Sequence, residues 1–124
     1  MKTVYIAHSK GLDYQRELYG PIRESAINNL YSFVLPHEDS ESLYSSKELF
    51  RDICDVIVVE ASEPKIGVGI EVGWADAYGV PIISMHKKGT RLSTSIRPMS
   101  REIIEYSTTN EMISGLEHAL KKVL

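Results

Sequence analysis

The segment Asp55-Val56-Ile57-Val58-Val59-Glu60-Ala61-Ser62 narrows most what this chain can fold into. Val56 to Val59 is an unbroken run of β-branched apolar residues. A strand with one wet face alternates apolar and polar residues. A strand covered on both faces does not, and such strands belong to parallel sheets with helices on either side. The run is extended to Ala61, and a glycine-rich helix start follows at once from Lys65 to Gly69. That helix is predicted to run to Tyr78, where Gly79-Val80-Pro81 stops it. A buried strand leading directly into a helix is half of a β-α-β unit.

The rest of the chain repeats this alternation. Thr3 to Ala7 reads as a first strand, followed by the polar turn His8-Ser9-Lys10-Gly11. Leu12 to Asn29 reads as helix, with Leu18, Ile22, Ala26 and Leu30 at helical spacing. Gly20-Pro21 falls inside it, and the proline's missing donor predicts a kink or two short helices. Tyr31 to Leu35 is a second strand, His37 to Leu43 a polar loop, and Ser45 to Ile53 a short helix. Pro81 to Met85 and Arg101 to Tyr106 complete the strands, separated by a polar loop or short helix from Thr90 to Arg97. Thr108 and Glu111 form a capping-box pattern ahead of a last helix carrying Met112, Leu116, Leu120 and Val123 on one face. The expected fold is α/β: residues 1–124 as a single domain, a doubly wound, flavodoxin-like, five-stranded parallel sheet with helices on both faces.

Composition excludes several functions. A net charge of -3 argues against binding a nucleic acid polymer, which needs a basic face. Cys54 is the only cysteine, so no intrachain disulfide forms and a reducing, cytoplasmic setting is expected. The four histidines are scattered and show no metal-ligand spacing, and no cofactor is implied. The longest apolar run is far shorter than a membrane span, and no leader pattern is present at the N-terminus.

In doubly wound sheets ligands bind beyond the carboxyl ends of the strands, so the loops there are the candidates. Gly67 and Gly69 allow close approach to the backbone, and Glu71 is expected in the first turns of the helix. By spacing alone Glu71 fits two roles, an acid favoured near a helix N-terminus or a carboxylate facing a ligand. His8, Ser9 and Lys10 would line the same crevice, or form an ordinary polar connection. Tyr5 is either core or a hydroxyl reaching the site. His37, Glu38 and Asp39 are either a sugar-binding or acid-base group or a solvated acidic loop. Lys10, Lys65 and Arg97 are either a basic rim suited to a phosphate, with Ser62, Ser93 and Ser95 nearby as hydroxyl donors, or separate solvated charges with a capped surface turn at Ser93 to Arg97. Trp74 could stack a base or fill a core or subunit contact.

Taken together, Asp55 to Ser62, Pro64, and Gly67-Val68-Gly69-Ile70-Glu71-Val72-Gly73 resemble the central signature of the nucleoside 2-deoxyribosyltransferase superfamily. They are most similar to its 2'-deoxynucleoside 5'-phosphate N-hydrolase branch. Val4-Tyr5-Ile6-Ala7 and Leu92-Ser93-Thr94-Ser95-Ile96-Arg97 support the same resemblance. It implies N-glycosidic bond chemistry, hydrolysis or deoxyribosyl transfer, on a small nucleoside or nucleotide, in a homodimer or larger homo-oligomer. It implies that Glu71 is the nucleophile, that Tyr5 orients it, and that Ser93 binds the 5'-phosphate, sometimes across a subunit interface. The chain departs from the family pattern at three positions. Lys47 stands where the family has an aspartate that assists the base, Lys65 replaces a phosphate-binding serine, and His8 replaces a glycine. Without that aspartate, Glu38, Asp39, His8 and Glu48 are the candidates for assisting the base. Lys47 also favours a second expectation, a non-catalytic nucleotide-binding or sensing module.

Overall fold

The computed structural model describes residues 1–39 and 46–124. Five strands form one sheet: β1 (Thr3–His8), β2 (Ser32–Val34), β3 (Val56–Glu60), β4 (Ile82–Lys87) and β5 (Glu102–Tyr106). Their order is β2-β1-β3-β4-β5, and every neighbouring pair is parallel. The chain therefore winds outward in one direction from β1 and in the other from β3. This is the flavodoxin-like, doubly wound sheet expected from the sequence, with its switch point between β1 and β3. There His8 and Glu60 are paired at the carboxyl edge.

Strand alternation divides the core in two. Val4, Ile6, Val56, Val58, Ile83 and Met85 face α1 (Gly20–Glu24) and α4 (Thr109–Val123), meeting Leu18, Ile22, Met112, Leu116 and Leu120. Tyr5, Ala7, Ile57, Val59 and Ile82 face α2 (Lys47–Asp52) and α3 (Ile66–Ala77), meeting Phe50, Val68, Val72 and Ala75. β3 is buried at every residue, as its unbroken apolar run requires. Thr108 accepts from the Glu111 backbone while Glu111 accepts from the Thr108 backbone, closing the capping box that opens α4.

Several boundaries differ from the sequence-based expectation. The helix expected over 12–29 is three pieces: a π turn at Gln15–Tyr19, α1, and a 3-10 turn at Ala26–Asn29. Gly20 donates to the carbonyl of Gln15, five residues back, so the wider turn precedes Pro21 and the expected kink takes this form. β4 continues past Met85 because His86 and Lys87 pair with Glu105 and Tyr106. A 3-10 turn, Arg97–Met99, follows it. The expected loop beyond Asp39, including Glu41, and the helix start at Ser45 lie outside the described residues. No helix of the described residues is long and apolar enough to cross a membrane.

Candidate active site

At the switch point the loops after β1 and β3 diverge, and α2 and α3 wall off the gap. The result is a cavity of about 670 Å³, lined by residues that include Tyr5, His8, Lys10, Ser46, Glu71 and Trp74. Each arrives for a local reason. Tyr5 is the third residue of β1 and His8 its last, and Lys10 follows in the loop. Ser46 is the residue before α2. Glu71 and Trp74 project from α3 three residues apart, on neighbouring parts of one face.

The Glu71 carboxylate is held from two directions. The Tyr5 hydroxyl and the Ser46 hydroxyl each donate to Oε2, both at 2.5 Å. Oε1 accepts no hydrogen bond among the described residues. Glu71 is the sixth residue of α3, past the first turn in which a helix dipole acts strongly. The carboxylate is thus positioned by two side-chain hydroxyls and not by the helix start, and hydrogen bonds to a charged acceptor are among the stronger kinds.

His8 and His37, which also line the cavity, belong to an aromatic cluster completed by Tyr14 and Tyr19. The ring of His8 lies 4.6 Å from that of Tyr14, 5.1 Å from Tyr19 and 5.8 Å from His37, centre to centre. Nδ1 of His8 is 2.9 Å from the Ser9 carbonyl, which can only accept, so Nδ1 carries the hydrogen. Nε2 then accepts from the Tyr19 hydroxyl at 2.6 Å, and that hydroxyl accepts from the His37 backbone N–H at 3.1 Å. Burial lowers the His8 pKa below its ordinary value; the bond to Ser9 opposes this, and His37 and Lys10 lower it further. Burial likewise raises the Tyr19 pKa. Both ring nitrogens of His8 are therefore engaged, whereas the buried Nδ1 of His37 has no hydrogen-bond partner among the described residues.

At one edge of the cavity Glu63 ties the two loops together. It accepts from the Ser9 hydroxyl at 2.8 Å and pairs with Lys65 at 3.2 Å. The Ser9 and Lys65 contacts hold its carboxyl below the usual pKa. Its carboxylate passes so close to Gly11 that a side chain there would collide with it. Beneath, the buried Glu60 accepts from the Ser62 backbone N–H and from the Tyr106 hydroxyl, and the Ser62 hydroxyl accepts from the backbone of Lys87. This network fixes where the chain leaves β3 for α3.

Of the residues singled out from the sequence, Tyr5, His8, Ser9, Lys10, His37, Lys65, Gly67, Glu71 and Trp74 line this cavity. Ser62, Glu38, Gly69, Ser93 and Arg97 do not. Ser62 is taken up in the strand-end network. Glu38 is paired with Arg23 through two contacts of 2.8 Å, which lower its pKa. Gly69 lies on an exposed face of α3. The Ser93 carbonyl and hydroxyl accept from Arg97 and Ser95 within their own turn, and Arg97 is exposed. Ser46 was not anticipated, because a serine ahead of a short helix reads as a cap. Tyr14 and Tyr19 were hidden inside a helical apolar pattern. No group of side chains able to hold a metal ion occurs among the described residues.

No profile of a known protein family matches the chain. Two relatives do. A protein of Syntrophotalea carbinolica, named "Putative 2'-deoxynucleoside 5'-phosphate N-hydrolase 1", is 43% identical, covering 97% of this chain and 94% of its own. A protein of the same name from Thermofilum pendens is 32% identical over 66% of this chain and 65% of its own. Among solved structures, the CMP N-glycosidase BcmB of Clostridium botulinum superposes with a TM-score of 0.68 at 21% identity, over 94% of this chain and 99% of that one, a likeness of fold. With near-complete coverage by the first relative, the chain belongs to the 2'-deoxynucleoside 5'-phosphate N-hydrolase family, within the nucleoside 2-deoxyribosyltransferase superfamily.

Proposed function

We propose that this protein cleaves the N-glycosidic bond of a 2'-deoxynucleoside 5'-monophosphate, with Glu71 as the nucleophile. One observation carries the reading. A carboxylate stands on the wall of an open cavity at the switch point, with Oε2 fixed by two hydroxyls and Oε1 left for a ligand. Oε1 attacks the anomeric carbon, the new C–O bond forms, and the C–N bond breaks with its electron pair leaving on the base. A water molecule supplies the proton that the base takes. Glu38 is tied to Arg23, Asp39 and Glu48 are exposed, and neutral His8 has both nitrogens engaged. The hydroxide so formed hydrolyses the glycosyl ester, returning the carboxylate and releasing the sugar phosphate; a second base in its place would give transfer.

Lys10 and Lys65 at the cavity support a phosphate-bearing substrate, and Trp74 supports stacking of its base. Ile66 and Ile70 are exposed on α3, Ile70 beside the cavity, which supports self-association as a homodimer or larger. The single thiol, Cys54, has its pKa pushed up to about 11 by burial, an unreactive form that suits a reducing cytoplasm.

The test is intact mass after incubation with a 2'-fluoro-2'-deoxynucleoside 5'-monophosphate. The proposal expects the sugar phosphate to remain on the wild-type protein and not on Glu71→Gln. Labelling of both, or base release by wild type without any covalent species, contradicts Glu71 as nucleophile. Lys47, exposed and 6.0 Å from the Trp74 ring, favours a second reading as a nucleotide-binding module without turnover. Binding of a monophosphate with no release of base would support that reading.

A further inference from the structure

Ser46 stands immediately before α2, where a serine normally turns its hydroxyl onto its own helix backbone. Here it makes no such bond. The side chain is buried, and its hydroxyl reaches Glu71 on α3, 25 residues away in sequence, at 2.5 Å. Four residues on, and so on the same face of α2, Phe50 meets the Tyr5 ring edge-on, with centroids 4.9 Å apart at 88°. Tyr5 is the other donor to the same carboxylate oxygen. A single face of a short helix thus supports both hydroxyls on Oε2, one directly and one by packing its ring. α2 packs on α3, so this face is carried with the helix that bears Glu71.

From this geometry we infer that Ser46 is a positioning residue for the Glu71 nucleophile, and that α2 serves to present Oε1 to the sugar. The inference rests on Glu71 being the nucleophile. With two donors on Oε2, rotation of the carboxylate about its last torsion breaks both bonds, so the free oxygen keeps one direction. Removing the Ser46 hydroxyl leaves one donor and lets the carboxylate turn. Substrate binding relies on other groups, so the loss falls on the chemical step.

The experiment measures release of base from 2'-deoxynucleoside 5'-monophosphates by wild type, Ser46→Ala, Ser46→Thr and Glu71→Gln, with thermal melting of each. Expected for Ser46→Ala is a kcat lower by about ten- to a hundredfold, the range of one hydrogen bond to a charged group, with KM within about twofold. Ser46→Thr keeps a hydroxyl and should recover most of the rate. A purely structural role would lower the melting temperature of Ser46→Ala without splitting kcat from KM, and Ser46→Thr would then offer no selective rescue of kcat. That result, or a wild-type kcat in Ser46→Ala while Glu71→Gln is inactive, overturns the inference alone. Full activity in Glu71→Gln, or none in wild type on any of the four natural bases, overturns the nucleophile reading and this inference with it.

Discussion

A protonated His8 would have to give up the hydrogen bond from the Tyr19 hydroxyl, because Nε2 would then carry a hydrogen of its own. Burial already favours the neutral ring, so the folded pKa lies below the ordinary 6.5. The sign follows from linkage. Between the two pKa values the unfolded chain binds more protons than the folded one, so stability is full above the unfolded pKa and is lost as pH falls below it. The melting temperature of wild type should therefore fall from about pH 7 to about pH 5 by more than that of His8→Gln, which cannot titrate. Parallel curves would contradict this. Glu63 makes a second prediction. Its carboxylate occupies the Ser9 hydroxyl and the Lys65 ammonium, two groups suited to a phosphate. Glu63→Gln should tighten a 2'-deoxynucleoside 5'-monophosphate by about two- to fivefold, the worth of an exposed ion pair. Calorimetry giving weaker binding would show that Glu63 arranges the loop instead of competing for it. Sequence alone could propose Glu71, His8, Lys10 and Lys65 for this site because each sits at or beyond a strand end, and Tyr5 because it lies on the strand leading there. It could not propose Ser46, whose hydrogen bond spans 25 residues and replaces the local one that its residue type suggests.

At the scale of elements, legibility followed the strength of the local pattern. β3, α3 and α4 carry an unbroken apolar run, a glycine-rich start and a capping box, and each formed within a residue or so of its expected bounds. The segment from Gln15 to Asn29 did not form one helix, because the choice among π, α and 3-10 turns depends on where Pro21 falls against its neighbours. The fourth strand was expected to end at Met85, yet pairing with β5 keeps His86 and Lys87 in the sheet. Two substitutions test the α4 account. Thr108→Ala removes one side of the capping box and should cost about 1 kcal/mol in chemical denaturation. Gly115→Ala should also destabilise, although alanine favours helix by about 1 kcal/mol over glycine. The added carbon would stand 2.7 Å from the Ile104 methyl on β5, and overpacking of this kind costs about 1–3 kcal/mol. A Gly115→Ala protein more stable than wild type would mean that α4 moves away from β5 freely.

For the whole molecule, the winding of the sheet decides where chemistry can happen. β1 and β3 carry their following loops apart, and the cavity between them gathers residues from β1, its loop, α2 and α3. Strand order was legible because a parallel sheet of this length has few ways to wind. Which loop residues reach the cavity was not: Ser93 and Arg97 follow β4, one strand farther from the switch point, and stay outside it. With Lys10 and Lys65 at the cavity of a protein of net charge -3, a monophosphate should bind more tightly than its nucleoside, and the difference should shrink with added salt. Equal affinities by calorimetry would remove the phosphate from the account. The central claim is that the Glu71 carboxylate performs the bond cleavage. Glu71→Gln keeps an acceptor for the Tyr5 and Ser46 hydroxyls, so the fold and substrate binding should survive while the nucleophile is lost. The most direct measurement is the rate of free-base release from 2'-deoxynucleoside 5'-monophosphates by wild type and by Glu71→Gln, both shown folded by melting. The account predicts a fall of at least about a thousandfold in the variant; release at near wild-type rate by folded Glu71→Gln would contradict it.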